Sequence, residues 1–557
     1  MRAALIFCMF GPLLFAEDIR NTKTPNTDTP VTLAVPSSRQ QWEARKAVLR
    51  TQILNAAGLL PMPAKTPLKP VVTGRIETAE YTIERVALET RPGYWLGGNL
   101  YRPKGKAGRH PAIIHPHGHW NYGRLEHQPL YSAQTLAANL ARHGMVVYMY
   151  DMVGYNDTAQ TPHDFSTPEY QLWGFTPLGL QLWNSIRVLD YLASLPDVDP
   201  ARIAATGASG GGTQVFLLAA VDDRLALSAP VNMVSGIMQG GCVCENAPGL
   251  RIGTNNVETA AMMAPKPMLL VAATGDWTRN VPRVEYPAIR KVYELYDKAA
   301  MVEAVQFDSP HNYHKESREA VYEFLRKHLT PETAPWKERA TEIEKIQDMM
   351  VWQRTPMPAH ARTFEQLFAE WKTESRALSQ KATVAELRER LRLVFGIPVA
   401  AGDFTGTVPH RMMEGRGPAV LAVHADGMEA AAKLVPAGRA ALLIDVFQTG
   451  SARAPRNRSH KQFLTFNYSD DAARVQDIVS AIGYLQTKDK APVEVVAGGQ
   501  ARWWALFGAA ASGAPVRFAS VPQEFEGGDT AVQKNVFAPG LQRAGGVETA
   551  LRLAGSQ

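Results

Sequence analysis

Residues 204–214 read AATGASGGGTQ, and residues 495–504 read VVAGGQARWW. Each run has an apolar strand, a glycine turn and a bulky follow-on, but Gln500 stands in the second where Ser209 stands in the first. Gly207, Ala208, Ser209, Gly210 and Gly211 satisfy G-x-S-x-G at a strand-to-helix turn. Such a turn lifts a serine oxygen to the head of a sheet and onto a helix N-terminus. Small neighbours let the backbone bend sharply and let a substrate come close. The same letters also arise as a glycine bend with an incidental serine, so the reading depends on partners elsewhere in the chain.

Working outward, short apolar runs alternate with longer helical ones. The apolar runs are PAIIHPHG (111–118), MVVYMYDMVG (145–154), RIAATGAS (202–209), LALSAPV (225–231), MLLVAATGD (268–276) and VEAVQFDSPHNYH (302–314). Helical spacing is found over 132–144, 178–195, 213–221, 283–296 and 315–329. Ahead of them, 78–90 and 94–103 alternate like paired antiparallel strands around a turn at 92–94, and 38–60 reads as a helix ending at Gly58. Buried strands alternating with helices predict an α/β fold, a mostly parallel sheet covered on both faces.

The chain has 557 residues, 45% hydrophobic and 20% charged, which points to two or more domains. Its net charge of +6 arises from 59 basic against 53 acidic residues without a long basic block, so a solvated surface and no nucleic-acid partner are expected. The opening MRAALIFCMFGPLLFAED has the plan of a secretory signal peptide cut after Ala16, predicting a periplasmic or extracellular protein. No later segment is long enough to span a bilayer. Cys8 lies in the removed part, leaving Cys242 and Cys244 of CVCE as two thiols packed near a loop. A bridge between residues so close would be strained, and their spacing supplies no further metal ligands.

A charged, proline-bearing connection follows Thr330 and leads into what reads as a worn copy of the first unit. VAELRERLRLVFGIP (384–398) echoes RKAVLRTQILNAAGLLP (45–61), and PAVLAVHADG (418–427) echoes PAIIHPHG. AALLIDVFQTG (440–450) matches MVVYMYDMVG, 493–510 matches 202–220, and FAPGLQRAGGVETA (537–550) matches ENAPGLRIGTNNVETA (245–260). Five echoes in one order argue for an internal repeat. Gln500 has no nucleophilic oxygen, and Ala501 and Arg502 replace glycines, so this copy is expected to keep a fold without a catalytic site. The expected organisation is a signal peptide over 1–16, a catalytic domain over 33–330, a linker over 331–361 and a degenerate non-catalytic domain over 362–557.

A serine hydroxyl needs a base, and the base needs a carboxylate to fix its tautomer. Asp276 follows one apolar run and His311 the next, giving the order Ser209, Asp276, His311. His314 is the alternative base, and Glu245 and Asp308 are weaker alternative acids. Two backbone donors must meet the oxyanion, and the best candidates are the amides of Gly210 and of His119 in HPHGHW. His115, His117 and His119 alternate and would share one face, but no nearby carboxylate completes a metal site with them. No metal or organic cofactor is needed. Trp120 and Trp277 adjoin these elements and are candidate substrate-binding faces, with Tyr122, Trp173 and Trp183 further away.

HPHGHW (115–120), GASGGGTQ (207–214), ATGDW (273–277) and PHNYHKESREAVYEF (310–324) together resemble the acetylxylan esterase-like α/β-hydrolases. Cephalosporin deacetylases, dienelactone hydrolases and prolyl-oligopeptidase catalytic domains are more distantly similar. The resemblance covers about residues 80–330 and implies an α/β-hydrolase fold with Ser209 as nucleophile, Asp276 as acid and His311 as base. It implies a carboxylic-ester hydrolase acting on acetyl or similar groups of an acylated carbohydrate such as xylan, or on a small ester. A serine peptidase on the same fold and a ligand-binding protein with two inactive units are the competing readings.

Overall fold

The computed structural model describes residues 17–398, 404, 406, 408–518, 525 and 528–555. The expected signal peptide, residues 1–16 with Cys8, lies outside the described residues. The described chain forms two compact units. The first comprises Pro25–Gln380 and His460–Asn467. The second comprises the described part of Met1–Thr24, Lys381–Ser459 and Tyr468–Gln557.

In the first unit, helix α1 (Arg39–Ala56) begins where the Ser38 hydroxyl accepts the Gln41 amide, and Gly58 turns left-handed (φ 65°) just beyond its end. The sheet strands are β1 (Val71–Glu77), β2 (Tyr81–Arg91), β3 (Tyr94–Pro103), β4 (His110–Pro116), β5 (Val146–Tyr150), β6 (Val198–Ala208), β7 (Leu227–Val231), β8 (Met268–Ala273) and β9 (Val302–Phe307). Their order is β1-β2-β3-β5-β4-β6-β7-β8-β9. The pairs β1/β2, β2/β3 and β3/β5 are antiparallel, and every later pair is parallel. This is the predicted α/β architecture. Strand β1 was not foreseen, because this edge strand alternates between exposed and half-buried residues and carries little apolar signal.

The crossover helices are α2 (Ala133–Arg142), α3 (Pro177–Ser194), α4 (Gly210–Val221) and α5 (Glu285–Glu294), and α6 (Lys315–Leu329) follows the last strand. Leu136 and Leu140 of α2 and Val321, Phe324 and Leu325 of α6 pack into one core with Ile113, Val147, Ala204 and Val271 of the strands. The alternate strand residues Ala112, Ile114, Tyr148 and Ala205 are equally buried, so both faces of the sheet are covered.

Residues 331–361, expected as a linker, instead belong to this unit. Trp336, Met349 and Val351 are buried, and a polar latch holds the segment down. Arg124, with no exposed surface, donates to Asn99 Oδ1 (2.8 Å), to Asp157 Oδ2 (2.6 Å) and to Asp151 Oδ1. Asp157 also accepts the amides of Val351 (2.8 Å) and Trp352 (3.0 Å). Burial pushes the Asp151 carboxyl up to about 7 against the pull of Arg124. The helix Phe364–Gln380, assigned by sequence to the second domain, also falls in the first unit.

The second unit has a five-stranded sheet among its described residues: β10 (His410–Met413), β11 (Arg416–His424), β12 (Arg439–Ile444), β13 (Val493–Gly498) and β14 (Val516–Phe518). The order is β10-β12-β11-β13-β14, with β10/β12 antiparallel and the rest parallel. It repeats the order and senses of β3-β5-β4-β6-β7, so the echo in sequence is an echo in topology. None of the described helices is long and apolar enough to cross a membrane.

Removing one partner from a buried ion cluster leaves uncompensated charge and costs about 3–5 kcal/mol. Arg124→Met is therefore expected to lower the stability of the first unit by that amount in urea denaturation, and to expose 346–352 to proteolysis before global unfolding.

Candidate active site

The chain leaves β6, β8 and β9 at the same edge of the sheet, and Ser209, Asp276 and His311 sit just beyond those ends. Ser209 has φ 58° and ψ −127°, a left-handed backbone that a side-chain-bearing residue adopts only under strain. Its amide donates to Val231 O (3.0 Å), and its carbonyl accepts the Thr213 amide (3.0 Å), so the turn is fixed on both sides. The side chain stands before the first turn of α4, where unpaired amides make the surroundings positive.

His311 Nδ1 lies 2.8 Å from Asp276 Oδ2. The other carboxylate oxygen, Oδ1, accepts the amide (2.7 Å) and hydroxyl (2.5 Å) of Thr278, so Asp276 caps the following turn and holds the imidazole at once. His311 Nε2 is buried and has no hydrogen-bond partner among the described residues. The Trp277 ring lies 4.4 Å from the imidazole, and Trp120 is parallel to it at 6.2 Å. Trp120 also stacks on Tyr131 at 4.1 Å. Both tryptophans named from sequence thus frame the histidine, whereas Trp173 and Trp183 are buried, the latter donating to Thr90 O (2.8 Å).

The alternative groups are engaged elsewhere. His314 Nδ1 accepts the Ser317 amide (3.3 Å) as the N-cap of α6. Asp308 accepts the Thr274 hydroxyl (2.6 Å). Glu245 Oε2 accepts the amides of Gly241 (2.8 Å) and Cys242 (3.2 Å).

The loop after β4 is built by two neutral histidines. Tyr131 donates its hydroxyl to His115 Nε2 (2.9 Å), so His115 Nδ1–H donates to Thr206 O (2.8 Å). The Met152 amide donates to His117 Nε2 (3.0 Å), so His117 Nδ1–H donates to Gly118 O (2.7 Å). Burial pushes these imidazoles down to about 4 and about 3, which keeps each in the tautomer its partners require. With both nitrogens used, neither histidine is available to a metal, and the three-histidine face weighed from sequence does not form one. Gly118 closes on the serine turn so tightly that a Cβ there would meet Ala208 O at 2.7 Å. The His119 imidazole reaches Gly210, where a Cβ would lie 2.8 Å from Cε1. The His119 side chain and Gly210 are therefore in contact range. Among the described residues, no acceptor bonds to the His119 amide.

Sequence reasoning missed His163. Its Nε2 lies 3.1 Å from His119 Nε2 and 3.6 Å from Cys242 Sγ, while Cys244 Sγ lies 2.9 Å from His119 Nε2. The pair Cys242 and Cys244, read as thiols without further ligands, thus has two imidazoles beside it. Hydrogen bonding from Cys244 draws the Cys242 thiol well below its ordinary value, and burial holds Cys244 up. Nothing in the spacing of 153–167 marks His163, which only the fold brings to this place.

In the second unit the elbow is absent. Gln500 has φ −63° and ψ −24°, ordinary helical backbone, and the positive φ (59°) falls on Gly499. Gln500 Nε2 donates to Asn535 O (3.0 Å) and Lys534 O (3.2 Å), tying down a neighbouring helix.

A family profile described as acetyl xylan esterase (AXE1) matches residues 75–233. The putative hydrolase YtaP of Bacillus subtilis (strain 168) is 30% identical over 192 residues, 32% of this chain and 62% of that one. An uncharacterized protein of Pseudomonas aeruginosa, PA2218, is 26% identical over 149 residues, 27% of this chain and 36% of that one. The chain thus spans less than two thirds of the length of these two curated relatives. A solved structure, methylesterase BT1017, is 31% identical with a TM-score of 0.53, covering 62% of this chain and 78% of that one. The chain belongs to the acetylxylan esterase-like α/β-hydrolase family.

Proposed function

We propose that the protein is a serine carboxylic-ester hydrolase that removes acetyl or similar acyl groups from carbohydrate such as xylan. The observation that carries this reading is the strained Ser209 backbone at the head of the sheet, together with an imidazole, His311, that Asp276 orients beyond the end of β9. Strain of about 1–3 kcal/mol persists only where the surroundings over-determine it, and it concentrates at functional positions.

In the first step Ser209 Oγ attacks the ester carbonyl while His311 Nε2 takes its proton, and Asp276 stabilises the imidazolium at Nδ1. The negative oxygen of the tetrahedral intermediate lies against the amides of Gly210 and His119. His311 then gives the proton to the departing alcohol, and a water activated by the same nitrogen releases the acid. Trp120 and Trp277 offer apolar faces to a sugar ring beside the reacting centre. The second unit, with Gln500 at the elbow position, takes no part in the chemistry. Export through residues 1–16 belongs to the same proposal and brings the protein to extracellular carbohydrate.

Methyl-ester hydrolysis is a second reading, favoured by the 31% identical relative named a methylesterase. The serine chemistry is the same, but methanol leaves first and the sugar acid remains on the enzyme. Release of acetate from acetylated xylan, set against methanol from methyl-esterified polysaccharide and cleavage of short peptides, separates the readings. Acetate release dependent on Ser209 is expected, and peptide cleavage without ester hydrolysis would refute the proposal.

Ser209→Gly and Ser209→Ala are each expected to lower ester hydrolysis at least about 10³-fold. Glycine relieves the left-handed strain and alanine does not, so the glycine variant is expected to be more stable than the alanine variant by about 1 kcal/mol in denaturant unfolding. Equal stabilities would remove strain from the argument.

A further inference from the structure

The loops that follow β4, β5 and β7 each send donors to one point beside the serine turn. His119 comes from the first, His163 from the second, and Cys242 with Cys244 from the third. One ligand atom from each of these four residues lies within 4.8 Å of every other. Four donors around a zinc ion, at about 2.0–2.1 Å for nitrogen and 2.3 Å for sulfur, would stand about 3.3–3.8 Å apart at tetrahedral angles. The 3.6 Å from His163 to Cys242 falls in that range, and the 3.1 Å between the imidazoles and 2.9 Å from His119 to Cys244 are shorter, so the donors converge at the scale of one ion and need to open slightly to hold it. Pairwise hydrogen bonds account for each separation, and it is the convergence of all four donors on one point that a shared ion explains.

A second feature points the same way. His163 Nδ1 lies 2.6 Å from Val153 O, which places the proton on Nδ1 and leaves the Nε2 lone pair facing the cluster. A backbone carbonyl behind a ligating imidazole is how proteins fix its tautomer for a metal. Behind His119, Glu245 Oε1 is 3.9 Å from Nδ1, and the same carboxylate holds the Cys242 amide. Gln181 Nε2 donates to Cys244 O (3.3 Å), fixing the second cysteine from behind.

The geometry points to a structural Zn²⁺ site of two histidines and two cysteines, formed by His119, His163, Cys242 and Cys244. Soft thiolates with imidazoles select a borderline ion such as Zn²⁺ over Mg²⁺ or Ca²⁺. Four protein ligands complete the tetrahedron, so the ion has no open position for water or substrate and serves as a tie. It staples the three loops at the carboxyl edge of the sheet and fixes His119, whose amide is the proposed oxyanion donor. Metal binding stands apart from the ester-hydrolase reading, and only the catalytic consequence rests on it.

The test is the metal content of the full chain after thiol reduction, incubation with Zn²⁺ and removal of free ion. About one equivalent per chain is expected in the unaltered protein and in Ser209→Ala, with loss in His163→Ala and in the double variant Cys242→Ser, Cys244→Ser. Co²⁺ bound to the unaltered chain is expected to give the intense visible bands and sulfur-to-metal charge transfer of a tetrahedral thiolate site, a reading that does not require the variants to fold. Stripping the ion is expected to lower kcat for a hydrolysed ester about 10–100-fold, with a smaller change in KM. Zinc well below one equivalent in the unaltered chain, equal zinc in the variants, or Co²⁺ bands of octahedral type would overturn the assignment.

Discussion

The left-handed backbone at Ser209 is the constraint to which the rest of the first unit answers. A residue with a side chain holds φ 58° only because its surroundings leave no alternative. Those surroundings are the carbonyl of Val231 on one side, the first turn of α4 on the other and the β4 loop above. Gly207 and Gly211 allow that loop to close, since a Cβ at either would meet Pro116 O at 2.4 or 2.3 Å. The sequence GASGGG is thus read twice, once as chemistry at the serine and once as clearance around it.

A chain of neutral polar contacts carries the same constraint outward. His115 and His117 each spend both ring nitrogens on fixed partners, and burial forbids the charge that would break those bonds. Arg124 and its two aspartates lock residues 346–352 against the sheet. The imidazole of His311, in contrast, keeps one nitrogen uncommitted. Rigid neighbours around one free acceptor are what proton transfer from a serine requires.

The long apolar strands and the helices between them were legible because every one of β4 to β8 is buried on both faces or nearly so, and their runs stand out from the polar turns. The order Ser209, Asp276, His311 was legible for the same reason, each residue following the end of such a run. The coordinates add the pairing of Asp276 with His311 and the capping role of His314. Strand β1 escaped notice because an edge strand need not be apolar. The segment 331–361 read as a linker because its few buried apolar residues, Trp336, Met349 and Val351, are widely spaced and much of its remaining attachment is polar, as at Asp157, with no sequence period. The proximity of His163 to the cysteines depends on three loops meeting in space. The repeat was recognised from strand echoes, while the shift of the positive φ from serine to Gly499 emerged only from backbone angles.

The central claim is that Ser209 is the residue made reactive by this arrangement. Treatment of the intact protein with a fluorophosphonate, followed by peptide mass spectrometry, measures that reactivity directly. The account expects one covalent adduct, on Ser209, that disappears when His311 is replaced by alanine. An adduct on another serine, or none at concentrations that label ordinary serine hydrolases, would contradict it.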